Sequence, residues 1–298
     1  MSAVTALRVP ARALGAATAP VTHTIDARWL MAYAAGLGET DPRFFDTRGR
    51  VVAHPLFPVC YEWPPLVALR EEVVGDALAP FSVHATHDLV IARMPRAGET
   101  VTTTARVIAI ERRRSGTLLV ARLRTVDAEG RELTTTDYGS VYRGIEPETT
   151  GRLAPPLALG GSGRPPSPPS SAEGSRVSAI ASWDQSLDVG ANAAHVYTEC
   201  ARIWNPIHTD AAVAHAAGLP AIILHGTATL ALAVSRVVDR ELDGDAARVR
   251  RISARFTGFV LMPSTLTVRC RGRRDATIHF DALGPDGRSV LGEGVLDA

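Results

Sequence analysis

The sequence predicts an α+β protein built twice over, each half a long apolar helix wrapped by a curled antiparallel sheet. Three observations carry this. The stretch APPLALGGSGRPPSPPSSAEGS, residues 154 to 175, is too rich in proline, glycine and serine to pack, and it divides the chain into two segments of similar length. Each segment runs through the same order of features, first helical spacing of apolar residues, then a loop feeding a long apolar helix. Each then ends in β-branched runs separated by glycine turns.

Taken in order, residues 1–20 are alanine-rich but broken by Arg8, Pro10 and Arg12, which leaves no continuous apolar core for a signal peptide and suggests a flexible tail. The first half is expected over residues 21–150. There DARWLMAYAAGLGE has helical spacing, and VVAHPLFPVCYEWPPLVALREEVV reads as a loop entering a long helix with prolines near its start. The runs HDLVIARM, ETVTTTARVIAIERR, GTLLVARLRTVDAEG and RELTTTDYGSVYRG follow as an antiparallel meander. A linker is expected over 151–175 and the second half over 176–298. SAIASWDQSL is strand-like, AAVAHAAG is a helix capped by Thr209 or Asp210 and stopped by Gly218, and AIILHGTATLALAVSRVVDREL is the second long helix. RVRRISARFTGFVLM, STLTVRCRG, ATIHFDALG and RSVLGEGVLDA are its strands.

The repeat is legible at the loops. ETDPRFFD aligns with IWNPIHTD, so Asp41-Pro42 matches Asn205-Pro206, Asp46 matches Asp210, and Phe44 falls where His208 stands. Likewise VAHPLF aligns with ILHGTA, which sets His54 opposite His225. A helix wrapped by a curled sheet, present twice in one chain, is the double hotdog arrangement. Neither half alone would satisfy both faces of its sheet, so the halves should pack as an intrachain pseudo-dimer.

Composition narrows the chemistry. The net charge is +1 and no basic run is interleaved with aromatics, so neither nucleic acid nor an anionic membrane is the expected partner. All 32 basic residues counted as Lys or Arg are arginine, which removes Schiff-base, pyridoxal-phosphate and P-loop lysine chemistry. Cys60, Cys200 and Cys270 lie far apart without a CxxC spacing, so no disulfide framework or cysteine metal site is indicated, and a reducing cytoplasm fits. Metal binding is not expected either. No HxH or HExxH occurs, and HATH in a strand should turn His84 and His87 to opposite faces.

NPIHTD followed by AGLPAIILHG resembles the signature of the MaoC-like dehydratase and (R)-specific enoyl-CoA hydratase family, in its double-hotdog form with a degenerate N-terminal half. The resemblance implies a hydro-lyase acting on an acyl thioester, with CoA or phosphopantetheine arriving as part of the substrate and no separate cofactor. The partner is then a thioester or an acyl carrier protein, and the chain a monomeric pseudo-dimer or a homodimer. His208 would transfer the proton, Asn205 would fix the loop or orient His208, and the Gly226 amide at a helix N-terminus would hold the thioester oxygen as negative charge develops on it. His225, Tyr197, Glu62 and Tyr61 are the expected substrate contacts, although a histidine in the place of His225 is more often structural.

The family motif places Ser-Gly-Asp where this chain has Ala201, Arg202 and Ile203, and that aspartate works with the histidine on water. Its counterpart in the first half is Glu39, beside Phe44 rather than a histidine, so each half keeps one member of the pair. Three accounts of the missing acid remain open. Another acid substitutes, either Glu199, or Glu62 or Tyr61 reaching across from the first-half helix as in FabZ-like hotdog dehydratases. Otherwise His208 works alone on an easier substrate, or the chain is a thioesterase, a cyclase or a non-catalytic acyl binder. Arginines at 111 to 114 and 248 to 255 are candidates for the phosphates of CoA or of a carrier.

Overall fold

The computed structural model describes residues 7–157 and 182–298. Its strands and helices follow the repeat. The N-terminal half contributes β1 (Arg8–Val9), β2 (Val21–Thr24), α1 (Ala27–Gly36), α2 (Pro58–Val73), β3 (Ser82–Ile91), β4 (Thr100–Arg113), β5 (Gly116–Asp127), β6 (Glu132–Arg143), β7 (Glu146–Pro147) and β8 (Gly151–Arg152). The C-terminal half contributes β9 (Trp183–Val189), α3 (Ala193–Ala201), α4 (Ala211–Ala216), α5 (Gly226–Glu241), β10 (Arg251–Phe256), β11 (Ser264–Arg274), β12 (Thr277–Leu283) and β13 (Ser289–Asp297).

The main sheet has the order β2-β4-β5-β6-β3-β10-β13-β12-β11-β9. Read from its middle outward, the order is the same in both halves, which is the pseudo-twofold of a double hotdog. The two curled sheets expected of the halves are present and are joined edge to edge. β3 and β10 pair antiparallel, from Arg251 opposite Val90 to Arg255 opposite Thr86, with the Arg251 guanidinium 2.8 Å from Asp88. Joining them removes two unpaired edges that each half would otherwise expose.

Helices α1 and α3 pack across the same axis. Tyr33 and Tyr197, separated by the same 164 residues as Glu39 and Ile203, bring their hydroxyls to 3.3 Å. The approach is close enough that a Cβ on Gly36 would lie 2.8 Å from the Cβ of Cys200, so only glycine fits there. One core cluster runs through both halves, from Ile25 and Leu30 to Leu291 and Leu296. Asp26 starts α1 by accepting from the Trp29 amide at 2.7 Å, and Asp210 starts α4 by accepting from the amides of Ala212 and Val213.

Three expectations change. Residues 7–20, expected within a flexible tail, lie on the first half instead. β1 pairs with β7, Ala17 bridges Arg106, and Val9 and Ala13 are fully buried. The expected linker at 151–175 falls mostly outside the described residues, but its first two residues form β8 against β4. The expectation of prolines near the start of α2 holds for Pro58, its first residue, but Pro64 and Pro65 sit further inside, where they withhold two amides from the helix ladder.

Candidate active site

The loop after α3 turns at Arg202, whose left-handed backbone (φ 58°) sets its guanidinium 4.2 Å over the Trp29 ring. Ile203 follows, buried. Asn205 is extended, as a residue before proline must be, and Pro206–His208 form one 3-10 turn. This turn holds the His208 ring with Nδ1 2.8 Å from the Ile223 carbonyl. A carbonyl only accepts, so Nδ1 carries the proton and Nε2 presents a lone pair. Burial lowers the His208 pKa to about 4, which keeps the ring neutral near pH 7. His225 stacks on it with ring centroids 3.7 Å apart, and its Nε2 lies 3.3 Å from the Thr198 hydroxyl.

His208 opens onto a cavity of about 300 Å³ between the halves. The C-terminal half lines it with Ile203, Asn205, His208, His225 and Gly226, and the N-terminal half faces them from α2, β3 and β6. Glu62 of α2 is among those facing residues. It is 3% exposed, its carboxyl accepts from the Thr136 hydroxyl at 2.7 Å, and Thr134 bonds it as well. Burial outweighs these bonds and pushes its pKa up to about 8, so at neutral pH it is a carboxylic acid able to give a proton. A neutral base and a neutral acid, contributed by different halves, therefore share one apolar chamber.

Gly226 is the first residue of α5, where backbone amides have no helical acceptor. A Cβ there would meet the Phe256 ring at 3.1 Å, so glycine keeps the ring and the amide close together at the cavity wall. The Asn205 side chain bonds to nothing among the described residues. Its backbone shapes the turn, while its amide remains available to a ligand.

Not every expected residue reaches the cavity. Tyr197 is buried among other groups, donating to the Thr227 hydroxyl at 3.1 Å, and Tyr61 turns to Thr134 at 3.2 Å. Both belong to the packing between helices and sheet rather than to the cavity wall. Glu199 is exposed on α3 and is not part of the lining. Of the candidate phosphate arginines, Arg112 pairs with Glu146, Arg113 with Glu111, Arg251 with Asp88 and Arg255 with Glu293, and none of those at 111 to 114 or 248 to 255 lines the cavity. Glu39 is also apart from the cavity. Ser235 donates to it and lies 3.1 Å from His54 Nε2, with Phe44 filling the place of a second histidine.

The sequence reading missed His84, His87 and Tyr138. Strict alternation puts the two histidines on opposite faces, but the β3–β6 register shifts between His84 and Thr86. That bulge turns both to the cavity, with ring centroids 5.5 Å apart and His84 stacked on Tyr138 at 3.7 Å. Among the described residues no group of three or more His, Cys, Asp or Glu side chains is placed to hold a metal ion. No helix among them is long and apolar enough to cross a membrane.

Comparison with known proteins places this geometry. Residues 185–280 match the family described as MaoC like domain, and residues 12–136 match the FAS1-like, dehydratase domain region. A fatty acid synthase subunit beta of Aspergillus oryzae is 37% identical over 110 residues, 34% of this chain and 5% of that protein. The enoyl-CoA hydratase ChsH3 of Mycobacterium tuberculosis is 45% identical over 64 residues, 22% of each chain. The chain thus spans only a small part of the curated relatives it matches. A MaoC-like dehydratase from Phytophthora capsici superimposes over 96% of both chains with a TM-score of 0.74 at 22% identity, a likeness of fold. The C-terminal half thus matches the MaoC like domain and the N-terminal half the FAS1-like dehydratase region, and the chain as a whole has the double-hotdog fold that it shares with a MaoC-like dehydratase.

Proposed function

We propose that this protein adds water to 2-enoyl thioesters or removes it from 3-hydroxyacyl thioesters, carried on CoA or on an acyl carrier, with Glu62 serving as the acid that Ile203 displaces. The observation that carries this reading is that His208 and Glu62 line one cavity from opposite halves, each in the protonation state its role requires.

In the hydration direction, His208 Nε2 takes a proton from water as the water oxygen bonds to C3. The C2=C3 electrons move onto the thioester oxygen, and the Gly226 amide stabilises the resulting enolate. The enolate then collapses and C2 takes the proton of Glu62. Glu62 is left as carboxylate and His208 as imidazolium, and transfer of one proton between them restores the start. Dehydration runs through the same steps in reverse. Asn205 is placed to orient the water or the thioester, and apolar walls keep other water out.

The test is incubation with crotonyl-CoA and longer 2-enoyl-CoAs, following loss of enoyl absorbance. Wild type should turn over, while His208→Ala should lose on the order of 10² to 10⁴ of the rate. An inert wild type whose Ile203→Asp variant gains activity would show that Glu62 does not replace the family acid.

A further inference from the structure

Helix α2 presents Val59, Glu62, Trp63, Leu66 and Arg70 to the cavity, each three or four residues from another of the set, so that they share one face. Arg70 lies about 12 Å along the helix axis from Glu62. It stands where the main cavity meets a smaller apolar one of about 40 Å³ between α2 and the N-terminal sheet, and Ser82 and Tyr138 border both spaces with it.

The charge balance of the main cavity is unusual. Its ionisable lining residues are Glu62, Arg70, Tyr138 and four histidines. Burial keeps Glu62 protonated and holds His84, His87, His208 and His225 neutral. Tyr138 is neutral for the same reason, its pKa pushed up by burial and only partly offset by the nearby charge of Arg70. Arg70 is thus the one charged side chain of this lining at neutral pH. Its guanidinium rests 5.9 Å from the Trp63 ring centroid and has no carboxylate partner among the described residues. A plain alkyl chain filling the cavity would partly desolvate that cation and give it nothing to bond.

We infer that Arg70, with the Tyr138 hydroxyl, receives a carboxylate at the far end of the acyl chain, so that the preferred substrates are monothioesters of dicarboxylic acids. This rests on the reading above, in which the reacting carbons lie between His208 and Glu62. A guanidinium takes a carboxylate through two parallel hydrogen bonds, and Tyr138 adds a third donor. The distance from Glu62 to Arg70 then sets a medium chain length.

Calorimetric titration of wild type and Arg70→Met with decanoyl-CoA and with 9-carboxynonanoyl-CoA tests this without turnover. The two ligands share the CoA moiety, so its phosphates contribute equally to both. Wild type should bind the carboxylate-ended ligand about ten- to a hundredfold more tightly, the worth of a charge-assisted pair. Arg70→Met, which retains the apolar stem against Trp63, should abolish that preference, and Arg70→Lys should restore part of it. Equal binding of the two ligands by wild type, or a preference that survives in a folded Arg70→Met, overturns the proposal. Discrimination in binding without hydration of either enoyl analogue would count against the catalytic reading and leave the anion site standing.

Discussion

Replacing Glu62 by glutamine separates what the carboxyl does for catalysis from what it costs the fold. In the folded protein its pKa is about 8, against an ordinary value of 4.5. Below about pH 4.5 the carboxyl is protonated in folded and unfolded chains alike, and its titration costs nothing. Above that pH the unfolded chain gains stability by ionising, while the folded chain keeps its proton, so the native state loses about 1.4 kcal/mol for each pH unit up to the folded pKa. At pH 7 the loss is roughly 3 kcal/mol, and it levels off near 5 kcal/mol above pH 8. Glutamine has nearly the same shape, can still accept from Thr136 and does not titrate. Urea unfolding of both proteins at pH 5, 7 and 8.5 should therefore show Glu62→Gln gaining on wild type as pH rises, by roughly 3 kcal/mol at pH 7. A stability difference that stays flat across this range would mean that Glu62 is not a buried neutral acid.

Two further outcomes follow from the same geometry. The pH–rate profile should be bell-shaped, falling below about pH 4 as His208 gains a proton and above about pH 8 as Glu62 loses one, and Glu62→Gln should remove the alkaline limb from any residual activity. Gly36→Ala places a methyl 2.8 Å from the Cys200 Cβ, two backbone-anchored atoms, so thermal unfolding should show a loss of about 1–3 kcal/mol. An unchanged melting temperature would mean that α1 and α3 part without cost.

Much of this was legible in the sequence because it follows from local pattern. The aligned ETDPRFFD and IWNPIHTD loops gave the duplication, Asp210 preceding an alanine-rich run gave the cap of α4, and His-Gly before a long apolar run gave the start of α5. What escaped were features set by register and by tertiary contact. The bulge after His84 adds one residue to one strand and reverses the face of everything beyond it, which a period of two cannot anticipate. The ordered segment before β2 is held by burial of Val9 and Ala13 against the first half, although its own composition resembles a tail. The choice among Glu62, Tyr61 and Glu199 depended on which side of each helix faces the other half. Tyr61 and Glu62 are adjacent on α2, yet only Glu62 meets the cavity.

The central claim is that His208 and Glu62, from opposite halves, act as one unit, and a double-mutant cycle on enoyl-CoA hydration tests it most directly. His208→Ala and Glu62→Gln should each lower kcat on the order of 10²- to 10⁴-fold. The double variant should be little worse than the poorer single one, because removing either partner already disables the pair. Effects that multiply in the double variant, or a Glu62→Gln enzyme as fast as wild type, would contradict a shared proton and return the missing acid at Ile203 to an open question.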